Sequence, residues 1–236
     1  MIVNKKQFYT GLAMMLIFAV ALAVMMSPVM NGKTVVQTAD DLFNSLTKGS
    51  TYYIPKLQSS AAELEGTTFE TAVSVSSKEE ADNLARVFGA ASAKVEAVSE
   101  TQVRISGDLG KAAGAALADA DALFKNNQSQ VTDKYGINGK EVLHYWWTGF
   151  NALESKYKLE GNASEMTFVG TLKGKALEVA YNFDGIEAVK VADKAGITIF
   201  MLAFYIIYTV WYGFAIMYML EGLGIVASAH GEKAEA

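Results

Sequence analysis

Hydrophobic positions along this chain follow three regimes. Two are unbroken apolar runs, one near each end, and between them apolar residues recur with periods of two or of three to four. The later run, residues 195–220, holds 26 residues without a charge, with Lys190, Asp193 and Lys194 before it and Glu221 after it. A helix needs roughly 20 mostly apolar residues to cross about 30 Å of hydrocarbon, so this run is long enough to span with some tilt. The earlier run, residues 8–30, follows Lys5 and Lys6 directly. It is longer than an ordinary secretory core, and MMSPVMNG offers a poor small-x-small cleavage site, so it reads as an uncleaved signal anchor.

The middle stretch predicts a compact mixture of helices and strands. Phe69, Thr71, Val73 and Val75 alternate, as a half-buried strand does. Ser76 and Ser77 each have a glutamate three residues on, which signals a helix start, and Ala81, Leu84, Ala85, Phe88 and Ala91 continue at helical spacing. Residues 94–98 and 101–106 read as two strands joined at Ser99 and Glu100. Asp108 caps a helix facing inward through Leu109, Ala113, Leu117, Ala120 and Phe124. The order is β-α-β-β-α, a small sheet with helices layered on it. Further helices are expected from Thr38 or Asp40 to Leu46, from Pro55 to near Gly66, and from Asn138 to about Lys158 with Val142, Trp146, Phe150, Leu153 and Tyr157 inward. Residues 166–186 stay ambiguous between strand and helix, and 186–194 are amphipathic enough to run straight into the second span.

The expected fold class is therefore α+β: two transmembrane helices flanking one extracytoplasmic domain, with several helices packed on a small sheet. The layout is an N-terminal transmembrane signal anchor over 1–30, the domain over 31–194, a second span over 195–226 and a short cytoplasmic tail over 227–236. Lys5 and Lys6 on a short flank favour both termini in the cytoplasm, because basic residues near span ends stay inside. This places the protein in a bacterial inner membrane with its main, periplasmic domain outside; the Lys190 and Lys194 pair pulls weakly against that orientation.

Composition mainly removes options. The chain has 236 residues, a net charge of −5, no cysteine and two histidines, His144 and His230. A cysteine-free chain forms no disulfide, cysteine-ligated zinc site, iron–sulfur cluster or covalent c-type haem. Mild acidity without a basic stripe gives no reason to expect nucleic acid. No cofactor is expected.

Three features attract functional readings. His144 and Trp147 lie in an aromatic cluster, HYWW, that suits a quinone head, a sugar face or a haem; the plainer reading is packing and an interface, with His144 on a polar helical face beside Thr148, Asn151 and Ser155. Glu221 closes the second apolar run, where it is a solvated end-cap if it lies at the boundary and a proton relay if it lies at depth. Within the run, Phe204, Tyr205, Tyr208, Trp211 and Tyr212 form an aromatic face. A phenol hydroxyl in mid-bilayer needs a hydrogen-bond partner, and the first run has only Thr10 and Ser27, near its ends. Other integral membrane subunits are thus the expected partners, beside the lipid bilayer, with a homo-oligomer as a further option. No nucleophile elbow, phosphate loop or carboxylate pair is present, so the expected role is a non-catalytic accessory or scaffolding subunit of a membrane protein complex. The alternative is an extracytoplasmic sensor or ligand-binding module signalling through a separate partner.

Overall fold

A computed structural model describes residues 2–225. The expected tail over 227–236 lies outside the described residues, as do Val226 and His230. The chain runs α1 (Lys5–Met25), α2 (Val35–Ser50), α3 (Ile54–Glu63), β1 (Thr68–Ser74), α4 (Lys78–Ala90), β2 (Lys94–Ser99), β3 (Gln102–Asp108), α5 (Leu109–Phe124), α6 (Gln128–Tyr135) and α7 (Gly139–Glu160). It continues through α8 (Ala163–Leu172), a π-helical segment (Lys173–Leu177), α9 (Glu178–Asn182), a 3-10 turn (Val191–Lys194) and α10 (Ala195–Gly222). Two compact units result, one of residues up to Phe43 with those from Lys190 on, the other Asn44–Val189.

Alternation builds the sheet of the second unit. Phe69, Thr71 and Val73 of β1 turn inward, as do Val103 and Ile105 of β3, and all five are buried. The strands lie in the order β1-β3-β2, each pair antiparallel. Ser77 Oγ accepts from the Glu80 amide and Glu80 reaches back to the Ser76 amide, a reciprocal cap at the start of α4. Asp108 accepts from the Lys111 amide at 3.0 Å and the Gly66 amide at 2.7 Å, fixing the β3–α5 corner to the turn after α3.

Small residues let α5 run through the middle of the unit. Beyond the expected face, Gly110, Ala112, Ala116, Asp119, Ala122 and Leu123 are also buried, so α5 is covered nearly all round. A Cβ on Gly110 would stand 2.6 Å from the Ala61 carbonyl oxygen, which is why α3 can approach so closely. On α7, Val142, Trp146, Phe150, Leu153 and Tyr157 are buried as their spacing predicts. Gly149 leaves room there for the Phe88 ring of α4.

Several expectations need correction. α2 begins at a Thr34 cap, where Thr34 Oγ1 accepts from the Gln37 amide and Gln37 Oε1 accepts in return from the Thr34 amide, not at Thr38 or Asp40. The buried stripe of α4 includes Asn83 and Val87 in place of Ala85 and Ala91. Residues 163–182 form a continuous helical stretch with a π segment in it, and no strand. Residues 183–190 are irregular, so no single helix runs from 186 into α10.

The other unit contains a helical hairpin. α1 and α10 pack against each other along their length, and both are long and apolar enough to cross a membrane. Close approach is set by Gly11, where a Cβ would stand 2.7 Å from the Ala215 carbonyl oxygen, and by Gly222, whose Cβ would stand 2.5 Å from Phe8. The amides of Val3 and Asn4 donate to the Gly222 carbonyl at 2.9 and 3.0 Å, joining the start of α1 to the end of α10. Almost none of either apolar window is buried, unlike a core helix of a globular domain.

Candidate functional site

α7 and α9 enclose a groove of about 420 Å³ lined by Leu143, His144, Trp147, Leu177, Glu178, Tyr181 and Asn182. His144 is exposed and Trp147 half-buried, one helical turn apart on the same wall. Trp147 Nε1 donates to Glu178 Oε1 at 2.8 Å, so the tryptophan is already pinned to the facing helix. Its ring also carries the Lys173 ammonium 4.7 Å from the centroid. Lys173 is itself held by Asn151 Oδ1 at 2.5 Å and Glu154 Oε2 at 2.6 Å.

Lys173 opens the π segment. A π turn accommodates an extra residue within a helix and commonly marks a functional position. Lys140 stacks over the ring of Tyr181, one of the lining residues, at 5.2 Å. The groove thus offers an apolar floor, aromatic edges and three polar side chains, His144, Glu178 and Asn182. That set suits binding of a ring-shaped molecule with a few hydroxyl or carbonyl groups. It lacks a nucleophile paired with a base. Among the described residues no three His, Asp or Glu side chains cluster as metal ligands.

Trp146, the other half of the aromatic pair, is fully buried and donates to Asp119 Oδ2 at 2.9 Å. The same oxygen accepts from the Tyr135 hydroxyl at 2.6 Å, and Oδ1 accepts from Lys134 at 3.0 Å. Burial above all, and then this bond to Asp119, push the Tyr135 phenol well above its usual range. A second buried charge is Lys48, whose ammonium donates to Asn126 Oδ1, the Phe183 carbonyl and the Ile186 carbonyl at 2.9, 2.9 and 2.5 Å. Burial lowers its pKa against the opposing pull of Glu187 and Asp184. Both clusters hold the fold together. Sequence reading missed them, because a lone Asp or Lys inside an amphipathic helix carries no local sign of being buried.

The aromatic residues of α10 divide between two faces. Tyr208 stacks on Phe18 of α1 with centroids 4.4 Å apart, Tyr212 lies 4.8 Å from the same ring, and Phe204 stacks on Tyr208 at 5.7 Å. Trp211 Nε1 donates to the Met14 carbonyl of α1 at 3.0 Å. Trp211 thus finds on the first helix an acceptor beyond its Thr10 and Ser27 hydroxyls. Close packing at Gly11 brings a backbone carbonyl, which has a spare lone pair, within reach. The Tyr208 hydroxyl is buried between the helices without a partner among the described residues. Tyr205, three residues before Tyr208, is 67% exposed. Glu221 is partly buried and accepts from Gln7 Nε2 at 2.9 Å, at the end of the hairpin where Lys5 and Lys6 also lie.

Comparison with protein-family models, curated proteins and solved structures finds no match to this chain.

Proposed function

We propose that the chain is a non-catalytic accessory or scaffolding subunit of a larger bacterial inner-membrane protein complex. In this reading α1 and α10 form a two-span anchor with both ends cytoplasmic, and Asn44–Val189 stands on the extracytoplasmic side. The observation that carries the reading is Tyr205, ten residues inside α10, with its phenol turned outward and unpartnered among the described residues. Ten residues of helix advance about 15 Å, half the depth of a hydrocarbon core. A hydroxyl left bare there is costly, whereas a neighbouring subunit's helix can supply an acceptor. Leu202, one turn before it, and Ile206 extend the exposed apolar surface beside it.

Glu221 fits the same scheme as a boundary residue. Its carboxylate meets Gln7 beside the basic start of α1, which suits an interfacial end-cap better than a relay at depth. Purification of the full chain from its native membrane in mild detergent, followed by native mass measurement, tests the proposal. Other integral membrane chains should accompany it, and Tyr205→Phe or Tyr205→Leu should reduce their recovery several-fold. A stable lone chain rules the reading out.

The groove at His144 and Trp147 favours a second reading, a ligand-binding or sensor module working through a separate partner. A ligand at a hundred times its Kd would raise Tm by about 5–10 °C for a unit of this size. A screen of sugars and quinone head-group analogues on the purified full chain checks it. A shift that survives Trp147→Ala counts against the groove.

A further inference from the structure

The small sheet ends differently at its two edges. Along β1, α7 closes the outer side, and Lys156 Nζ donates to the Glu70 carbonyl at 2.6 Å. Along β2, no strand and no hydrogen bond from the described residues meets the outer backbone. The layer beneath β2 is also incompletely filled. Val103 and Ile105 of β3 are buried, but their neighbours Val95 and Ala97 on β2 are half-buried and exposed. A groove of about 350 Å³ runs between them and Lys78, Ala81, Asp82 and Ala85 of α4. Sheet and helix layer together leave space for a fourth strand.

The charges on the outward face of β2 indicate which strand fits. Arg104 of β3 stands opposite Glu96 and approaches both Glu96 and Glu70, at 3.9 and 3.5 Å. Lys94 precedes Glu96 on the same face and pairs with it along the strand. Charged edge residues ordinarily repel an incoming strand. In an antiparallel pairing of β2 with itself about a two-fold axis normal to the sheet, the axis must pass through a residue, since otherwise inward and outward positions would face each other. An axis through Glu96 sets two glutamates opposite each other, and one through Lys94 sets two lysines opposite, both unfavourable. Axes farther along pair the bulged residue Val98, where the register of β2 shifts. An axis through Val95 avoids all of this. It sets Lys94 opposite Glu96 of the second copy, twice by symmetry, and Ala97 opposite Ala93, with Val95 against its own counterpart over the groove.

We propose that β2 is a self-association edge: two copies pair antiparallel through β2, centred on Val95, to make one continuous six-stranded sheet from two three-stranded ones. The row of opposed charges then runs Arg104, Glu96, Lys94 of the second copy, with alternating sign. This edge belongs to the Asn44–Val189 unit and is independent of the contacts proposed for α10, so either can fail without the other.

The chain's lack of cysteine makes the test direct. In the centred pairing Val95 faces itself with Cα atoms about 4.5–5.5 Å apart, within the range a disulfide bridges. Full-length Val95→Cys in mild detergent, oxidised with copper phenanthroline, should convert mostly to covalent dimer. Val98→Cys should not, because its counterpart lies roughly 20 Å away along the paired strands. Equal cross-linking of the two variants overturns the proposal. Glu96→Lys, which sets lysine against lysine, should weaken the dimer about tenfold in analytical ultracentrifugation. Adding Lys94→Glu restores the pairing with reversed signs and should restore the dimer. An unchanged dimer in the single variant, a double variant that stays dissociated with wild-type circular dichroism, or a monomeric wild type would each sink the idea.

Discussion

A buried carboxylate costs several kcal/mol unless donors surround it, and Asp119 is surrounded: Tyr135 and Trp146 share one oxygen and Lys134 takes the other. Removing it with Asp119→Ala leaves two buried donors and a lysine unpaired. Urea denaturation should register a loss of about 3 kcal/mol or more. Two buried tyrosines give a contrast with the opposite sign. The Tyr135 hydroxyl donates to a charged acceptor, so Tyr135→Phe should cost about 1.5–3 kcal/mol. The Tyr157 hydroxyl is buried with no partner among the described residues, so Tyr157→Phe should cost less than about 0.5 kcal/mol or stabilise. Burial also pushes the Tyr157 phenol up to about 12. A group whose folded pKa exceeds its unfolded value stabilises fully below the unfolded value and less above it. Tyr157 therefore contributes up to about pH 10, and that contribution disappears as pH climbs through about 12. Unfolding free energies measured across that window should fall more steeply for the wild type than for Tyr157→Phe; parallel slopes would show that Tyr157 is not the group responsible.

At the scale of elements, the hairpin depends on glycine where α1 meets α10. A leucine at Gly11 would drive its side chain into the Ala215 and Met219 backbone, which a Cβ alone would approach to 2.7 Å. Gly11→Leu should split the hairpin and separate Trp211 from the Met14 carbonyl. An engineered Phe18→Cys and Tyr212→Cys pair, joined by a short bismaleimide that spans the two helices, should lose most of its cross-linked yield. Elements with a clean period were legible in the sequence. The alternation of β1, the Ser77 and Asp108 caps and the apolar stripe of α7 all reappear in the structure. Residues 166–186 were not, for a physical reason. The buried positions there are Val169, Leu172, Lys173, Ala176, Leu177 and Ala180, which is helical spacing, but an ion-paired lysine occupies one of them. Lys173 reads as polar, Met166 and Phe168 imitate strand alternation, and the π insertion shifts the phase. The groove was half legible: His144 and Trp147 share α7, whereas their companions Glu178 and Tyr181 come from the stretch whose period is broken. On α10 the split was not legible, since the side chains of one helix do not reveal which of them a second helix covers: Tyr208, Trp211 and Tyr212 meet α1, while Tyr205 stays exposed.

For the whole molecule, the proposed two-span anchor makes the side on which each part stands a measurable quantity. The amides of Val3 and Asn4 bond to the Gly222 carbonyl, so the start of α1 and the end of α10 lie at one end of the hairpin and share a side if the helices span. Lys5 and Lys6 stand at that end, while Lys190 and Lys194 stand before α10 with Asp193 between them. Acidic residues weigh little in the positive-inside balance, so the contest is two lysines against two, and the proposed cytoplasmic start of α1 rests on Lys5 and Lys6 at its first two positions. The absence of cysteine again gives a background-free measurement. Leu159→Cys offers a thiol on a residue 89% exposed at the end of α7, and Asn4→Cys offers one at the start of α1. In intact spheroplasts a membrane-impermeant maleimide should label Leu159→Cys fully and Asn4→Cys at least several-fold less, until detergent opens the membrane. The reverse pattern would put the Asn44–Val189 unit in the cytoplasm. Because the lysine balance is close, Lys5→Glu with Lys6→Glu should turn a measurable fraction of the molecules over, moving label from position 159 to position 4. A layout untouched by that change would mean that something other than the flanking lysines sets the orientation.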